Sequence, residues 1–428
     1  MTNLLKILLL LFLLTPLSFI PNLVVFPFPG NPLAKYYFFC VISGVLLYFS
    51  FKIRITNYFL FFPILFGYLF EIIRNPIVGG INILTVMGWG ILLIGTFSCI
   101  VLILNQEKSN SQISKLQIIL KPYFYLCNFI VIFGVIVYGL VFLKFINIED
   151  WPLHKVYGYE FSSRLDHPIT GFNPSYYLTP FYFSILQPNY IKLPFPFDLI
   201  GTNCGVFIEP HVNCFFVTPS FFLINFFKKN KYSLVLKILY IIFILLSLST
   251  TNLLVFSFVI FIGFIKSVFQ KRWKLIFIIP IAIVCVFISR FEIVQEVFNL
   301  IEYKSTSSSN ETSSGYIEHI LTPETFFGTG ILVIPSKGDD FIYNEKIIEL
   351  GDIGFVGFFL FVSHYFLIFL FSFRSIFINS HFKSIGLATL YFGLHSLKIP
   401  MHTMQYPLLI FFLFVISLTI NVKYRKTI

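Results

Sequence analysis

The chain has 428 residues, of which 57% are hydrophobic and only 11% charged, with a mean hydropathy of +0.86. A soluble domain carries about 25% charged residues, so the composition excludes an ordinary soluble domain and predicts an all-α, polytopic transmembrane helical bundle. The formal charge of +11 comes from basic residues spread in short clusters between apolar runs, a pattern of membrane topology rather than of nucleic-acid binding.

A bilayer core about 30 Å thick is crossed by about 20 apolar residues in a helix. Runs that meet or approach this length cover residues 7–25, 36–51, 58–73, 81–104, 123–146, 205–227, 232–248, 253–265, 275–289, 353–373, 384–399 and 407–420. They predict about 12 helices in a single transmembrane domain over residues 1–428. The first run follows Lys6 and leads into Pro21 without a small-x-small cleavage site, so it reads as a membrane helix rather than a signal peptide. The polar stretch from Ser247 to Asn252 allows two short helices joined by a tight turn, or one long broken helix.

Cytoplasmic loops retain Lys and Arg. With both termini inside, the inner segments hold Lys6, Lys52, Arg54, Lys108, Lys115, Lys121, Lys228, Lys229, Lys231 and Lys237. Further along they hold Lys266, Lys271, Arg272, Lys274, Arg374, Lys383, Lys423, Arg425 and Lys426. Of the 19 acids only Glu107 joins them. The reverse orientation would expose these clusters outside, so the chain is expected to lie N-in and C-in. Two outer loops, 147–203 and 290–352, are much longer than the other connections, and long loops in compact domains are where function concentrates. The first is rich in Tyr, Phe and Pro. The second carries a Ser/Thr-rich tract from Ser305 to Ser314 that reads as a flexible lid or linker.

The six cysteines form no C-x-x-C pair, which argues against a zinc or dithiol site. Cys204 and Cys214 are close enough in sequence to allow a disulfide, with buried free thiols as the alternative. No Walker A, H-E-x-x-H, EF-hand or G-x-G-x-x-G motif is present. Neither a metal nor a cofactor is expected, and ATP coupling within the chain is not expected either. Charges inside the apolar runs are nearly absent, whereas ion-coupled transporters place charged groups near the bilayer midplane. The chemistry-bearing residues fall on the outer side.

Three stretches there share a pattern. Gly205, Phe207, Glu209, Pro210, His211 and Asn213 open the sixth run; Gly328 and Gly330 lie in the second long loop; Asp340, Glu349, Gly351 and Gly354 lead into the tenth run. In this order they resemble the G-x-F-x-x-P-N, G-x-G and E-x-G-x-x-G motifs of the O-antigen polymerase (Wzy-type) and O-antigen ligase superfamily of membrane glycosyltransferases. The resemblance covers roughly residues 205–373 and includes the positions of the two long outer loops. The N-terminal half matches in hydropathy alone.

The resemblance implies a multi-pass protein of the bacterial inner membrane that joins sugar chains carried on polyprenyl diphosphate at the outer face. Donor and acceptor lipid-linked oligosaccharides, membrane lipids and a chain-length regulator are the implied partners. A diphosphate leaving group needs cationic or N–H donors, and Arg290, Arg164 and Lys192 are the outer candidates. The acceptor hydroxyl needs a base, for which Glu209, Asp340 and His211 are candidates. Glu349, Gly328 and Gly330 complete the implied substrate site. Ligases of the superfamily carry a His-Asn pair where this chain has Asp340 and Phe341, which favours a polymerase. Two positions where the family often has Arg are Thr202 and Thr250 here. A ligase and a lipid-linked oligosaccharide flippase remain the alternatives. Each residue also has an ordinary reading: Glu209 as a helix-start carboxylate, His211 as its partner, Arg290 as an interfacial anchor, Arg164 in a loop ion pair with Asp166, and the glycines as turn residues.

Overall fold

The computed structural model describes residues 2–14, 34–51, 83–106, 111–147, 177–178, 184–187, 201–207, 210–227, 232–270, 363–377, 382–397 and 406–420. These are overwhelmingly helical. The helices are α1 (Thr2–Leu14), α2 (Ala34–Ser50), α3 (Ile83–Gln106) and α4 (Gln112–Phe142). After a small sheet come α5 (Pro210–Val217), α6 (Pro219–Phe227), α7 (Tyr232–Ser247) and α8 (Thr250–Gln270). The last three are α9 (Ser363–Phe377), α10 (Lys383–Ser396) and α11 (Tyr406–Ile420). The apolar runs at 58–73 and 275–289, and the second long loop, lie outside the described residues.

Helix α4 shows why apolar runs of this kind become helices with two different faces. Its 31 residues extend about 46 Å at 1.5 Å per residue. Leu116, Ile119, Leu120, Tyr123, Cys127, Ile130, Val131, Gly134, Val137, Tyr138 and Val141 recur at helical spacing and are buried. The opposite face is apolar too, yet exposed: Tyr125, Phe129, Ile132 and Ile136. Among the described residues this is the one helix long and apolar enough by itself to cross a membrane. The described parts of the others form shorter apolar helices, such as Gly90–Gln106 within α3 and Tyr232–Ser247. The helix begins well before the apolar run that signals it, because the turns bearing Lys115 and Lys121 continue the backbone ladder although they add nothing to the hydropathy.

One continuous core joins all these helices. Close approach is set by glycines. A Cβ on Gly386 of α10 would lie 2.9 Å from the Ser372 carbonyl oxygen and 2.8 Å from Ile376 Cγ1, and one on Gly393 would lie 2.6 Å from Ile368 Cγ2. These two positions, seven residues apart, let α9 ride directly on α10, as small residues do where apolar helices cross. Tyr365 donates to the Ser396 carbonyl at 2.8 Å and Ser375 meets Thr419 Oγ1 at 3.2 Å. These bonds tie α9 to α10 and α11.

The structure departs from a purely helical expectation in the first long loop. Three short strands, β1 (Tyr177–Leu178), β2 (Ile185–Gln187) and β3 (Thr202–Gly205), form an antiparallel sheet in that order. Tyr177 pairs with Leu186, and Ile185 pairs with Gly205 across a bulge. Leu186 is buried against Val137, Tyr138 and Val141 at the end of α4. The sheet is therefore anchored by the loop's apolar residues, which an all-polar loop could not provide.

Two further differences concern breaks. The sixth apolar run is not one helix: it starts as β3, turns, and then divides into α5 and α6 at Thr218. The stretch from Ser247 to Asn252 is a tight turn between two helices, with Leu248 at φ +47°.

Candidate functional site

The resemblance motif beginning at Gly205 folds as a strand-to-helix turn. Strand β3 is pinned onto α4 by side chains: Asn203 Nδ2 donates to the Gly134 carbonyl at 3.1 Å, and the Tyr138 hydroxyl donates to the Gly201 carbonyl at 3.0 Å. Asn203 Oδ1 accepts from the Gly205 N–H at 2.8 Å and closes the turn locally, as asparagine side chains do. Gly205 itself has φ +57°, a region costly for any residue with a Cβ. A Cβ there would also collide with the side chain of Asn213. Phe207 is fully buried, its ring 5.3 Å from that of Phe216. Pro210 then opens α5, where its missing N–H costs no helix bond. The glycine, the aromatic residue and the proline of the motif each answer a local structural need.

His211, half-buried, sits on the first turn of α5. Asn213, one residue beyond Val212, is completely buried, and among the described residues neither polar atom of its amide has a hydrogen-bond partner. A buried amide left unbonded costs roughly 1–3 kcal/mol, so this side chain stands out at the base of the turn. Glu209, Arg164, Lys192, Arg290, Gly328, Gly330, Asp340 and Glu349 lie outside the described residues. Of the sequence-predicted site residues, His211 alone has a described position.

A second polar cluster lies further along α5, where helices break. Pro219 has no N–H to continue the helix. At the break Tyr123 of α4 donates to the Phe216 carbonyl from a neighbouring helix, and the Thr218 N–H closes the last turn of α5 on the Cys214 carbonyl at 2.9 Å. The turn between α7 and α8 meets this break. Cys214 Sγ donates to Ser247 Oγ at 2.9 Å, and Thr218 Oγ1 donates to Asn252 Oδ1 at 3.2 Å. From α10 the Tyr391 hydroxyl also donates to Asn252 Oδ1. The Tyr391 hydroxyl also shares a hydrogen bond with His395 Nδ1, 3.0 Å away. Asn252 Oδ1 thus receives two hydroxyls, while its buried Nδ2 has no hydrogen-bond partner among the described residues. Thr218, Asn252 and His395 are all fully buried.

Cys204 and Cys214 are free, buried thiols, not a disulfide. Among the described residues no group of His, Cys, Asp or Glu is arranged to hold a metal ion. The described interior offers hydrogen-bond donors and two buried imidazoles, His364 and His395, with no carboxylate among the described residues. It can orient a polar group or water.

Sequence reasoning singled out Gly205 and His211, named Asn213 within the motif and Asn252 at the polar stretch without giving either a role, and passed over Asn203, Tyr391 and His395. The available signal was polarity within an apolar run, since a polar side chain there must be bonded or functional. Comparison with protein-family models, with curated proteins and with solved structures found no match.

Proposed function

We propose that this protein is a repeat-unit polymerase of the bacterial inner membrane, a metal-independent glycosyltransferase acting on polyprenyl-diphosphate-linked oligosaccharides at the outer face. Membrane residence is supported by the exposed faces of the helices. Residues 123–142 of α4 contain no charged side chain, and the exposed Tyr125, Phe129, Ile132 and Ile136 suit lipid far better than water. The observation that carries the enzymatic reading is the turn at Gly205. Its positive φ and its packing against Asn213 give the first glycine of the resemblance motif a defined structural role directly before α5, which supports reading the stretch as a motif.

In the proposed reaction a carboxylate, Glu209 or Asp340, takes the proton of the acceptor hydroxyl. That oxygen forms a bond to the anomeric carbon of the donor sugar. The bond from the same carbon to the diphosphate oxygen breaks, and polyprenyl diphosphate leaves with the electron pair. Arg290 and Arg164, with Lys192, hold the diphosphate charge; His211, Glu349, Gly328 and Gly330 line the acceptor and donor path. The sugar–diphosphate bond supplies the energy, so no nucleotide is consumed. Polymer for O-antigen or for capsular or exopolysaccharide is the product class, with a chain-length regulator as a fitting partner.

Glu209→Gln and Asp340→Asn change charge with little change of shape. Each is expected to shorten the saccharide polymer by at least tenfold in yield of long chains, at unchanged protein level, as read on a saccharide ladder gel. Full-length polymer from both variants would remove these carboxylates from the reaction.

A second reading, a lipid-linked oligosaccharide flippase, is favoured by one observation: a broken helix and the tight turn between α7 and α8 meet at a buried polar cluster around Asn252, and transporters build substrate sites at helix breaks. Among the described residues the cluster's only titratable group besides thiol and phenol is His395, and this scarcity of charge weighs towards the polymerase.

A further inference from the structure

Four asparagines are buried among the described residues, and three of them use their amides. Asn203 donates to the Gly134 carbonyl at 3.1 Å and accepts from the Gly205 N–H at 2.8 Å. Asn128 accepts from the Tyr240 hydroxyl at 2.8 Å, and Asn252 accepts from Thr218 and Tyr391. Asn213 is the exception. It is 0% exposed, and among the described residues neither its Oδ1 nor its Nδ2 has a hydrogen-bond partner.

Packing gives no reason for an amide at this point. Asn213 Cγ and Nδ2 lie 2.8 and 2.9 Å from where a Cβ on Gly205 would stand, so the head of the side chain fills the notch that the glycine leaves. A leucine has nearly the same branched shape. It would fill the notch without burying unbonded polar atoms, whose desolvation weakens the fold. A buried polar group kept unbonded in this way points to a function that stability alone does not explain. Asn213 is the fourth residue of α5, on the same first turn as His211 and directly after the turn at Gly205.

The chemistry of the amide narrows the ligand. It offers two donors on nitrogen and an acceptor on oxygen. An anion answers only the donors, and a cation answers only the oxygen. A neutral ring with adjacent hydroxyls answers both, and such hydroxyls are what an oligosaccharide presents.

We propose that Asn213 is a saccharide-recognising residue: its amide leaves the notch at Gly205 and pairs with two adjacent hydroxyls of the lipid-linked oligosaccharide, donating through Nδ2 and accepting through Oδ1. Rotation about χ1 into another staggered well moves the amide, and Gly205, without a Cβ, puts no side chain in its path. The bonds missing in the free protein are made in the complex. The proposal rests on the lipid-linked saccharide of the proposed function as ligand, and not on the transfer chemistry.

The test uses the full chain purified in detergent and two probes. One is the lipid-linked repeat unit extracted from a strain deleted for this protein; the other is polyprenyl diphosphate carrying no sugar. A ligand bound to the folded state alone raises the melting temperature. In the wild type the repeat unit is expected to raise it by several degrees more than the bare lipid does. Asn213→Leu is expected to melt at or above the wild-type baseline and to lose this sugar-dependent difference. An asparagine with a purely structural role would give the reverse, a lowered baseline with the difference kept. Equal shifts from the two probes in the wild type, or an undiminished difference in Asn213→Leu, would overturn the proposal. If Asn213→Leu melts below the wild type, the smaller Asn213→Ala is read instead: a lost difference supports the proposal and an undiminished one overturns it. Failure of the polymerase reading shows separately, as a sugar-dependent shift in the wild type without elongation of the repeat unit.

Discussion

At Gly205 two separate penalties await any side chain: the left-handed backbone at φ +57° and the Asn213 amide in the way of a Cβ. The backbone part is worth about 1–2 kcal/mol and overpacking a further 1–3 kcal/mol. Gly205→Ala is therefore expected to lower the unfolding free energy by about 2–5 kcal/mol, as the sum of these parts. Adding Asn213→Ala removes the collision but not the backbone strain, so the double variant should recover the packing part alone. A thermal-melt cycle over the four proteins measures this coupling. Recovery of full stability in the double variant would mean that the backbone at Gly205 is not strained. The glycine was legible in the sequence because its motif drew attention to it. Asn213 was named in the same motif, but its contact with Gly205 was not legible, since an asparagine in an apolar stretch carries no marker of what it touches.

Helix elements were legible where apolar residues were continuous, and less so where backbone chemistry intervened. The run at 232–248 became α7 almost unchanged, because its residues are apolar throughout and meet no proline. The run at 205–227 did not remain a single span. Gly205 takes a turn conformation, and Pro219 withholds an N–H; the Tyr123 hydroxyl, bonded to the Phe216 carbonyl, helps make the break tolerable. Such rescue depends on helices distant in sequence, so the run alone could not reveal it. The small sheet was missed for a related reason: β1 to β3 are too short to show alternation, and they persist because Leu186 packs on α4, Asn203 of β3 is bonded to Gly134 of α4, and Tyr138 of α4 is bonded to the Gly201 carbonyl just before β3. At this scale the α9–α10 contact makes the clearest prediction. In Gly386→Val the added carbons meet the Ser372 carbonyl oxygen, 2.9 Å from the Cβ position, and backbone cannot swing aside as a side chain can. The variant is expected to lose several-fold in the level of folded protein measured by size-exclusion chromatography. Gly263→Ala is the milder control, since its Cβ meets only the flexible end of Leu387 at 3.3 Å. Equal levels for the two variants would show that α9 and α10 are not tightly apposed.

For the molecule as a whole, the strongest organising feature is the separation of its two sides. Nearly all acids fall on segments read as outer, whereas the basic clusters fall on those read as inner. The described helices share one apolar core and expose apolar faces, which fits a bundle held in lipid and turns attention to its polar exceptions. These are the turn at Gly205 and the break around Asn252. The candidate carboxylates and arginines lie outside the described residues, so their role must be read from saccharide chemistry in the cell. A strain deleted for this protein, with its saccharides analysed for chain length and carrier, makes that reading directly. The polymerase account predicts single repeat units attached to the final acceptor, with long chains restored by the wild-type gene. Single units retained on the inner face of the membrane, or full polymer left on the polyprenyl carrier, would contradict it.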